Sequence, residues 1–191
     1  LRRQRQMCIR DSIRKEAQRL VTLIGDIIRL SQLDEGEPMP TETVDLLEVT
    51  REAAENLQTA AAARDVTVTV EGQPAELEGV RRLLYEIVYN LCDNAIKYNV
   101  TGGRVDLSVS CTGGTAAVMV RDTGIGIPAD QQDRVFERFY RVDKSHSKAS
   151  GGTGLGLSIV KHAVQYHHGV IELKSELGKG TEIRVTFPVK A

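Results

Sequence analysis

The run Glu86-Ile87-Val88-Tyr89-Asn90-Leu91-Cys92-Asp93-Asn94-Ala95-Ile96-Lys97-Tyr98 decides how the rest of the chain is read. It contains neither Gly nor Pro and carries a repeating apolar stripe, so it reads as a helix. At about 100° per residue, Glu86, Asn90, Asn94 and Lys97 fall within an arc of roughly 80°. Leu84, Ile87, Val88, Leu91 and Ala95 gather around the opposite direction. One face is therefore core, and the other presents a carboxylate, two carboxamides and an ammonium. Such a row suits a hydrated Mg²⁺ with phosphates, with hard oxygens for the metal and a Lys point charge for phosphate. A solvated amphipathic face has the same composition, and the helix alone does not separate the two readings.

Downstream lie two glycine segments. Asp122-Thr123-Gly124-Ile125-Gly126-Ile127-Pro128 follows a strand pattern. Its glycines let the backbone approach a flat ligand, and Asp122 can accept a hydrogen bond from an exocyclic amine. Alone it reads equally as an acidic turn. Gly151-Gly152-Thr153-Gly154-Leu155-Gly156-Leu157-Ser158 opens a helix, where backbone N–H groups and the helix dipole favour phosphate. It is not a Walker loop, since no Gly-Lys-Ser/Thr follows. It is not the dinucleotide fingerprint either, because the spacing is Gly-x-Gly-x-Gly and no strand precedes it.

Upstream, residues 9–33 read as one long helix. Ile9, Ile13, Ala17, Leu20, Ile24 and Ile27 step by three and four, close to a heptad seam, and Leu23, Ile28 and Leu30 widen the stripe. A helix this amphipathic packs on another helix, and pairing with a second chain is expected. Gly36, Pro38 and Pro40 mark residues 36–41 as a linker. The expected organisation is a helix over 1–35, the linker, and a compact domain over 42–191. In that domain strands are expected near 43–46, 66–70, 75–78, 104–111, 116–121, 170–175 and 181–189. Helices are expected over 47–64, 80–98 and 155–168, with a short helical piece around 130–139. This gives an α+β fold: a two-layer α/β sandwich with helices on one face of a mixed sheet.

The 191 residues suffice for one substantial domain and an appendage, with 41% hydrophobic and 27% charged residues. A formal net charge of −1 gives no ground for a nucleic-acid partner. Cys8, Cys92 and Cys111 lack metal-ligand spacing and read as reduced thiols. No apolar run approaches a membrane span, and there is no signal-peptide pattern. The chain begins at Leu1, and residues 1–12 do not resemble the expected lead-in to the first helix. An upstream segment, with any membrane anchor, is therefore expected.

Taken together and in order, the segments resemble sensor histidine kinases. Glu86-x-x-x-Asn90-x-x-x-Asn94-x-x-Lys97-Tyr98 looks like the N box, and Asp122-x-Gly124-x-Gly126 like the G1 box. Phe136-Glu137-Arg138-Phe139-Tyr140-Arg141 resembles the F box, Gly152-Thr153-Gly154-Leu155-Gly156-Leu157 the G2 box, and Gly178-Lys179-Gly180-Thr181 the last glycine box. The likeness covers residues 42–189 and is strongest to sensors of the phosphate-regulon or cell-wall type. It implies a Bergerat-type (GHKL) ATP-binding fold, shared with gyrase, MutL and Hsp90-like ATPases, with ATP and Mg²⁺ as cofactors.

The resemblance also implies roles. Asn90 would coordinate Mg²⁺, and Glu86 would polarise the attacking group. Asn94 and Lys97 would contact phosphates, and Tyr98 would lie against the adenine. Asp122 would bind the adenine amino group, with Gly124 and Gly126 giving access. Gly152, Thr153, Gly154, Leu155 and Gly156 would cradle phosphates, and Thr181 would join the nucleotide site. Phe136 and Phe139 would anchor the segment that covers the nucleotide, with Arg138 and Arg141 reaching phosphates or a partner domain. The chemistry would be phosphoryl transfer by positioning and charge neutralisation.

The first helix resembles the second helix of the family's dimerisation domain. The implied partners are a dimerisation domain bearing a phosphoacceptor His, a response-regulator receiver domain, and a second copy in a homodimer. The catalytic domain would be cytoplasmic and the full-length protein anchored in a bacterial inner membrane. None of His146, His162, His167 and His168 begins a helix beside an acidic residue, so all four read as surface or cap residues. Other readings are a non-catalytic ATP-binding module, a serine kinase that binds a sigma factor, and an Hsp90- or MutL-like ATPase. The kinase-type F box and the heptad helix argue against the last two.

Overall fold

The structure is a computed structural model and describes residues 2–35, 38–142 and 153–189. In chain order it has α1 (Arg2–Glu35), β1 (Glu42–Asp45), α2 (Leu46–Ala62), β2 (Thr67–Gly72), β3 (Glu76–Gly79) and α3 (Arg81–Lys97). Then follow β4 (Arg104–Thr112), β5 (Thr115–Asp122), a 3₁₀ turn (Ala129–Gln131), α4 (Gly156–Tyr166), β6 (Val170–Glu176) and β7 (Gly180–Pro188). Five strands form one sheet in the order β2-β4-β5-β7-β6. Only β2 and β4 run parallel; the other neighbours are antiparallel. β1 and β3 form a separate antiparallel pair.

Period-two patterning builds the core face of this sheet. Val105, Leu107, Val109, Val118, Val120, Ile183, Val185 and Phe187 are buried. They form one cluster with Leu84, Ile87, Val88 and Leu91 of α3, Leu57 of α2 and Val164 of α4. Each such side chain contributes about 1.5–3 kcal/mol on burial. The opposite sheet face carries charge. Thr69, Asp106, Arg121, Glu182 and Lys174 lie directly across from one another in register, so acidic and basic residues alternate over four strands. Thr69 Oγ1 donates to Asp106 Oδ1 at 2.8 Å. A face of this kind is satisfied in water, which is why the sandwich has two layers and not three.

Local chemistry sets the element ends. Asp45 caps α2, its Oδ1 accepting from the Leu47 and Ala75 N–H groups at 2.9 and 3.1 Å. Val80, at the N-cap of α3, has no capping side chain of its own. His167 serves there instead: its Nε2 accepts from the Val80 N–H at 3.0 Å. Its Nδ1–H donates to the Ala163 carbonyl at 2.8 Å, which makes the ring the neutral Nδ1 tautomer. His167, read from sequence as a surface or cap residue, is the C-cap of α4 and at the same time a buried bridge to α3. Burial pushes its pKa down, partly offset by the Ala163 bond.

Two further readings change. The helical piece expected around 130–139 is the short 3₁₀ turn followed by successive turns. Its polar residues include no apolar stripe able to seat a full helix. The first helix is longer than expected, reaching Arg2. Its C-terminal end does not hang free. Leu33 joins the main core, and Leu30 packs with Leu155 and Ile159 of the α4 region. The following segment is tied down as well, with the Met39 N–H donating to Tyr166 Oη at 2.9 Å. Another face of α1 exposes Ile13, Leu20, Val21, Ile24, Ile27 and Ile28. Among the described residues no helix is long and apolar enough to cross a membrane.

Candidate nucleotide site

The site lies where β5 ends, β7 begins, and α3 and α4 converge. Asp122 closes β5, and its Oδ1 accepts from the Gly124 N–H at 2.8 Å and the Thr181 N–H at 3.2 Å. Burial raises its pKa, and those two backbone bonds pull it back. The carboxylate is thus oriented by backbone on two sides through one oxygen. Thr181 Oγ1 lies 2.9 Å from Ser175 Oγ, which also receives the Ile127 N–H at 2.8 Å. On the open sheet face Asp122 and Thr181 also border a polar depression of about 290 Å³, lined by Arg121, Lys174 and Glu182 and by no residue of α3 or α4.

Gly124 and Gly126 are required by the protein's own backbone. A Cβ at Gly124 would overlap the Tyr98 carbonyl oxygen, and one at Gly126 would overlap that of Glu176. Gly180 is confined in the same way by the Asp122 carbonyl, at a φ of 103°. The Ile125 N–H donates to the Tyr98 carbonyl at 3.0 Å and the Gly178 N–H to the Ile125 carbonyl at 2.7 Å. These contacts stitch the end of α3 to the turn after β5 and the β6–β7 turn. Tyr98 takes part through its carbonyl, and its side chain is exposed.

On α3, Glu86 is a buried carboxylate, 7% exposed. Asn90 Nδ2 donates to the Glu86 carbonyl at 2.8 Å, one turn back. That bond leaves Asn90 Oδ1 directed at the start of α4, where a Cβ on Gly156 would lie 2.9 Å from it. Gly156 therefore keeps a gap beside Asn90 that any side chain would narrow. Asn94 is half-buried further along the same face. Lys97 Nζ pairs with Asp93 Oδ2 at 2.5 Å. Asp93 was missed by the sequence reading: it sits seven residues after Glu86 and so about 20° outside that arc.

The second glycine segment divides between two tasks. Gly156 faces Asn90, whereas Thr153 and Leu155 face α1. Thr153 Oγ1 donates to Asp26 Oδ2 at 3.0 Å, and the Leu155 side chain is fully buried against Leu30. Gly154, at a φ of 75°, accepts from the Phe139 N–H at 2.9 Å. Gly152 lies outside the described residues, as does His146. Phe139 is exposed and itself holds a positive φ of 62°. Arg138 reaches α1, its Nη2 donating to Asp34 at 2.6–2.7 Å and lying 3.3 Å from His162 Nε2. That guanidinium, first through its hydrogen bond, holds the Asp34 pKa below the usual carboxylate range.

A divalent cation here would draw only part of its shell from the protein. Among the described residues no three His, Cys, Asp or Glu side chains are grouped to hold a metal. The oxygen donors on the α3 face are Glu86, Asn90 and Asn94, with the Asp93 carboxylate engaged by Lys97, and the Gly156 gap leaves the Asn90 oxygen approachable. Few protein ligands, with phosphates and water making up the shell, is how Mg²⁺ is ordinarily held beside a nucleotide.

Comparison with known proteins agrees with this fold. Residues 79–191 match the family described as histidine kinase-, DNA gyrase B-, and HSP90-like ATPase. The sensor-like histidine kinase SenX3 of Mycolicibacterium smegmatis is 41% identical over 175 residues, covering 91% of this chain and 46% of SenX3. The structure of the mycobacterial sensor histidine kinase MprB superposes with a TM-score of 0.69 at 32% identity, covering 78% of this chain and 97% of that one. That of full-length ShkA in complex with AMPPNP gives 0.77 at 27% identity, covering 90% and 36%. The chain belongs to the histidine kinase-, DNA gyrase B- and HSP90-like ATPase family. Within it, this is an ATP-binding catalytic domain of the sensor histidine kinase type. The chain spans about half the length of the SenX3 relative it matches.

Proposed function

We propose that the chain is the catalytic part of a two-component sensor kinase. It transfers the γ-phosphoryl group of ATP to a His on a dimerisation domain, for relay to an Asp of a response regulator. The observation that carries this reading is the meeting of three separate segments. Gly156 at the start of α4 faces Asn90 on the α3 polar face, and the turn that Asp122 orients is bonded to the Tyr98 carbonyl at the end of α3. Asp122 accepts from the adenine amino group, and its fixed orientation excludes bases that offer an acceptor there. The Lys97 ammonium and the first N–H groups of α4 take phosphate charge. Glu86 accepts a hydrogen bond from the attacking imidazole N–H and so orients its lone pair towards phosphorus. Asn90, with Asn94 beside it, would hold Mg²⁺, which supplies charge neutralisation at the phosphates when bound. As the P–N bond forms the bond to the bridging oxygen breaks, and ADP leaves with that electron pair.

The exposed apolar face of α1 supports homodimerisation, because it is separate from the Leu23, Leu30 and Leu33 side that meets the catalytic domain. One helix can thus serve a bundle and hold the domain at once. We place the domain in the cytoplasm, where ATP is available, with the full-length protein anchored in the membrane. The domain is read as residues 42–191 joined to α1 through residues 36–41.

None of the described histidines is expected to receive phosphate. His167 uses both ring nitrogens structurally, and His162 lies between Arg138 and Asp34, 3.4 Å from the latter. The test is incubation with γ-labelled ATP, alone and then with a separate dimerisation domain that carries the acceptor His. Label on the added domain, and none on this chain, is the expected result. Self-labelling, or no transfer despite nucleotide binding, overturns the reading.

A further inference from the structure

Asp93 is the residue on the α3 polar face to which no role has been given. Counting from Glu86 along the helix, it falls at about −20°, between Glu86 and Tyr89 and within reach of Lys97 one turn on. The ion pair to Lys97 is 2.5 Å long, and the two side chains are only 29% and 20% exposed. This is not a solvated surface pair, whose worth would be slight. The Lys97 backbone has no slack either: its carbonyl accepts from Arg64 Nη1 at 3.0 Å, and the Tyr98 N–H returns to the Asn94 carbonyl at 3.0 Å. All the freedom of Lys97 is in its side chain, and Asp93 takes up that freedom. The charge of Asp93 is felt nearby, since Tyr89 is held above its usual pKa by burial and then by Asp93.

We infer that Asp93 sets how strongly the site responds to phosphate charge, by neutralising Lys97 until a polyphosphate displaces it. This rests on the reading of the α3 face as a nucleotide site and deepens it. A ligand without phosphate has nothing to offer Lys97, so the pair persists. A triphosphate competes with one carboxylate for one ammonium and wins by its greater charge. The pair thus keeps the site near neutral when no nucleotide is present. It also lowers affinity for ATP and for the ADP product, which favours release after transfer.

Local charge orders four proteins. Wild type carries zero from this pair, Asp93→Asn carries +1, Lys97→Gln carries −1, and the double variant carries zero. Isothermal titration of the full chain with Mg·ATP, Mg·ADP and adenosine reads the effect. Asp93→Asn is expected to bind Mg·ATP roughly three- to tenfold more tightly at low salt, with a steeper salt dependence. Lys97→Gln is expected to bind it more weakly, and the double variant is expected to return close to wild type. Adenosine affinity should be the same in all four, which reports that the site is intact. Asp93→Glu keeps the charge and should keep the wild-type constants.

A double variant as weak as Lys97→Gln overturns the inference, as does an Asp93→Asn protein no tighter than wild type. A merely structural role for Asp93 gives that result. If wild type itself binds no Mg·ATP, the nucleotide reading and this inference both fall. If it binds but the charge order fails, only the inference falls.

Discussion

His167, Asp122 and Gly180 act through single contacts that a substitution can isolate. His167 must be neutral to accept the Val80 N–H, and its folded pKa lies below its ordinary value. The unfolded chain therefore binds the proton more readily. Stability from His167 is complete above about pH 6.5 and is lost as the pH falls from there through the depressed folded value. Urea unfolding midpoints should drop between pH 7.5 and 5.5. His167→Phe should flatten much of that slope while lowering stability at neutral pH by about 1–3 kcal/mol, because it orphans the Val80 N–H. Gly180→Ala forces a methyl into the Asp122 carbonyl and should cost at least about 2 kcal/mol in the same assay. Asp122→Asn keeps an acceptor for Gly124 and Thr181 but presents an amide to the purine. Its melting temperature should hold while ATP affinity falls at least about tenfold by titration. Burial raises the Cys92 thiol to about 12, so thiol reagents at neutral pH should modify Cys111 and spare Cys92 until unfolding.

At the scale of elements, α1 is the interesting case. Its residues Asp26, Leu30, Leu33 and Asp34 meet the catalytic domain through a hydrogen bond, apolar packing and an ion pair. Leu30→Ala removes the centre of the smaller cluster. Amide exchange in α1 should then speed up while the sheet strands keep their protection, since their core is the other cluster. Ile24→Glu and Ile27→Glu sit on the exposed stripe and should leave that exchange unchanged, and under the proposed pairing through this stripe they should weaken dimerisation of the full-length protein in sedimentation. The heptad spacing marked the stripe in the sequence. The side that meets α4 was not legible there, because the residues that receive it, Leu155, Ile159 and Arg138, lie more than a hundred positions away.

Across the whole molecule, the charged row on the open sheet face is collectively stabilising but individually weak. Arg121→Ala should cost no more than about 1 kcal/mol and lose its effect in high salt. Nucleotide should act more strongly than any surface pair: at a hundred times its Kd, Mg·ATP adds about 2.7 kcal/mol and raises the melting temperature accordingly.

The sequence by itself determined the sandwich, because period-two strands and a one-sided helix leave few ways to bury their apolar faces. It also supplied the candidate set of nucleotide residues, whose order and spacing carry a family likeness. Tertiary structure alone decided how those residues divide. Gly124 and Gly126 make room for the protein's own carbonyls. Thr153 and Leu155 turn to α1, and Gly156 turns to Asn90. His167 became the cap that Val80 lacks. The physical reason is the same each time: helical and strand periodicity fix which residues share a face, but which surface that face meets depends on packing between distant segments. Lys97 sits between the two cases. Its place beside Asp93 follows from the helix alone, and its half-buried, neutralised state follows from the elements that enclose it.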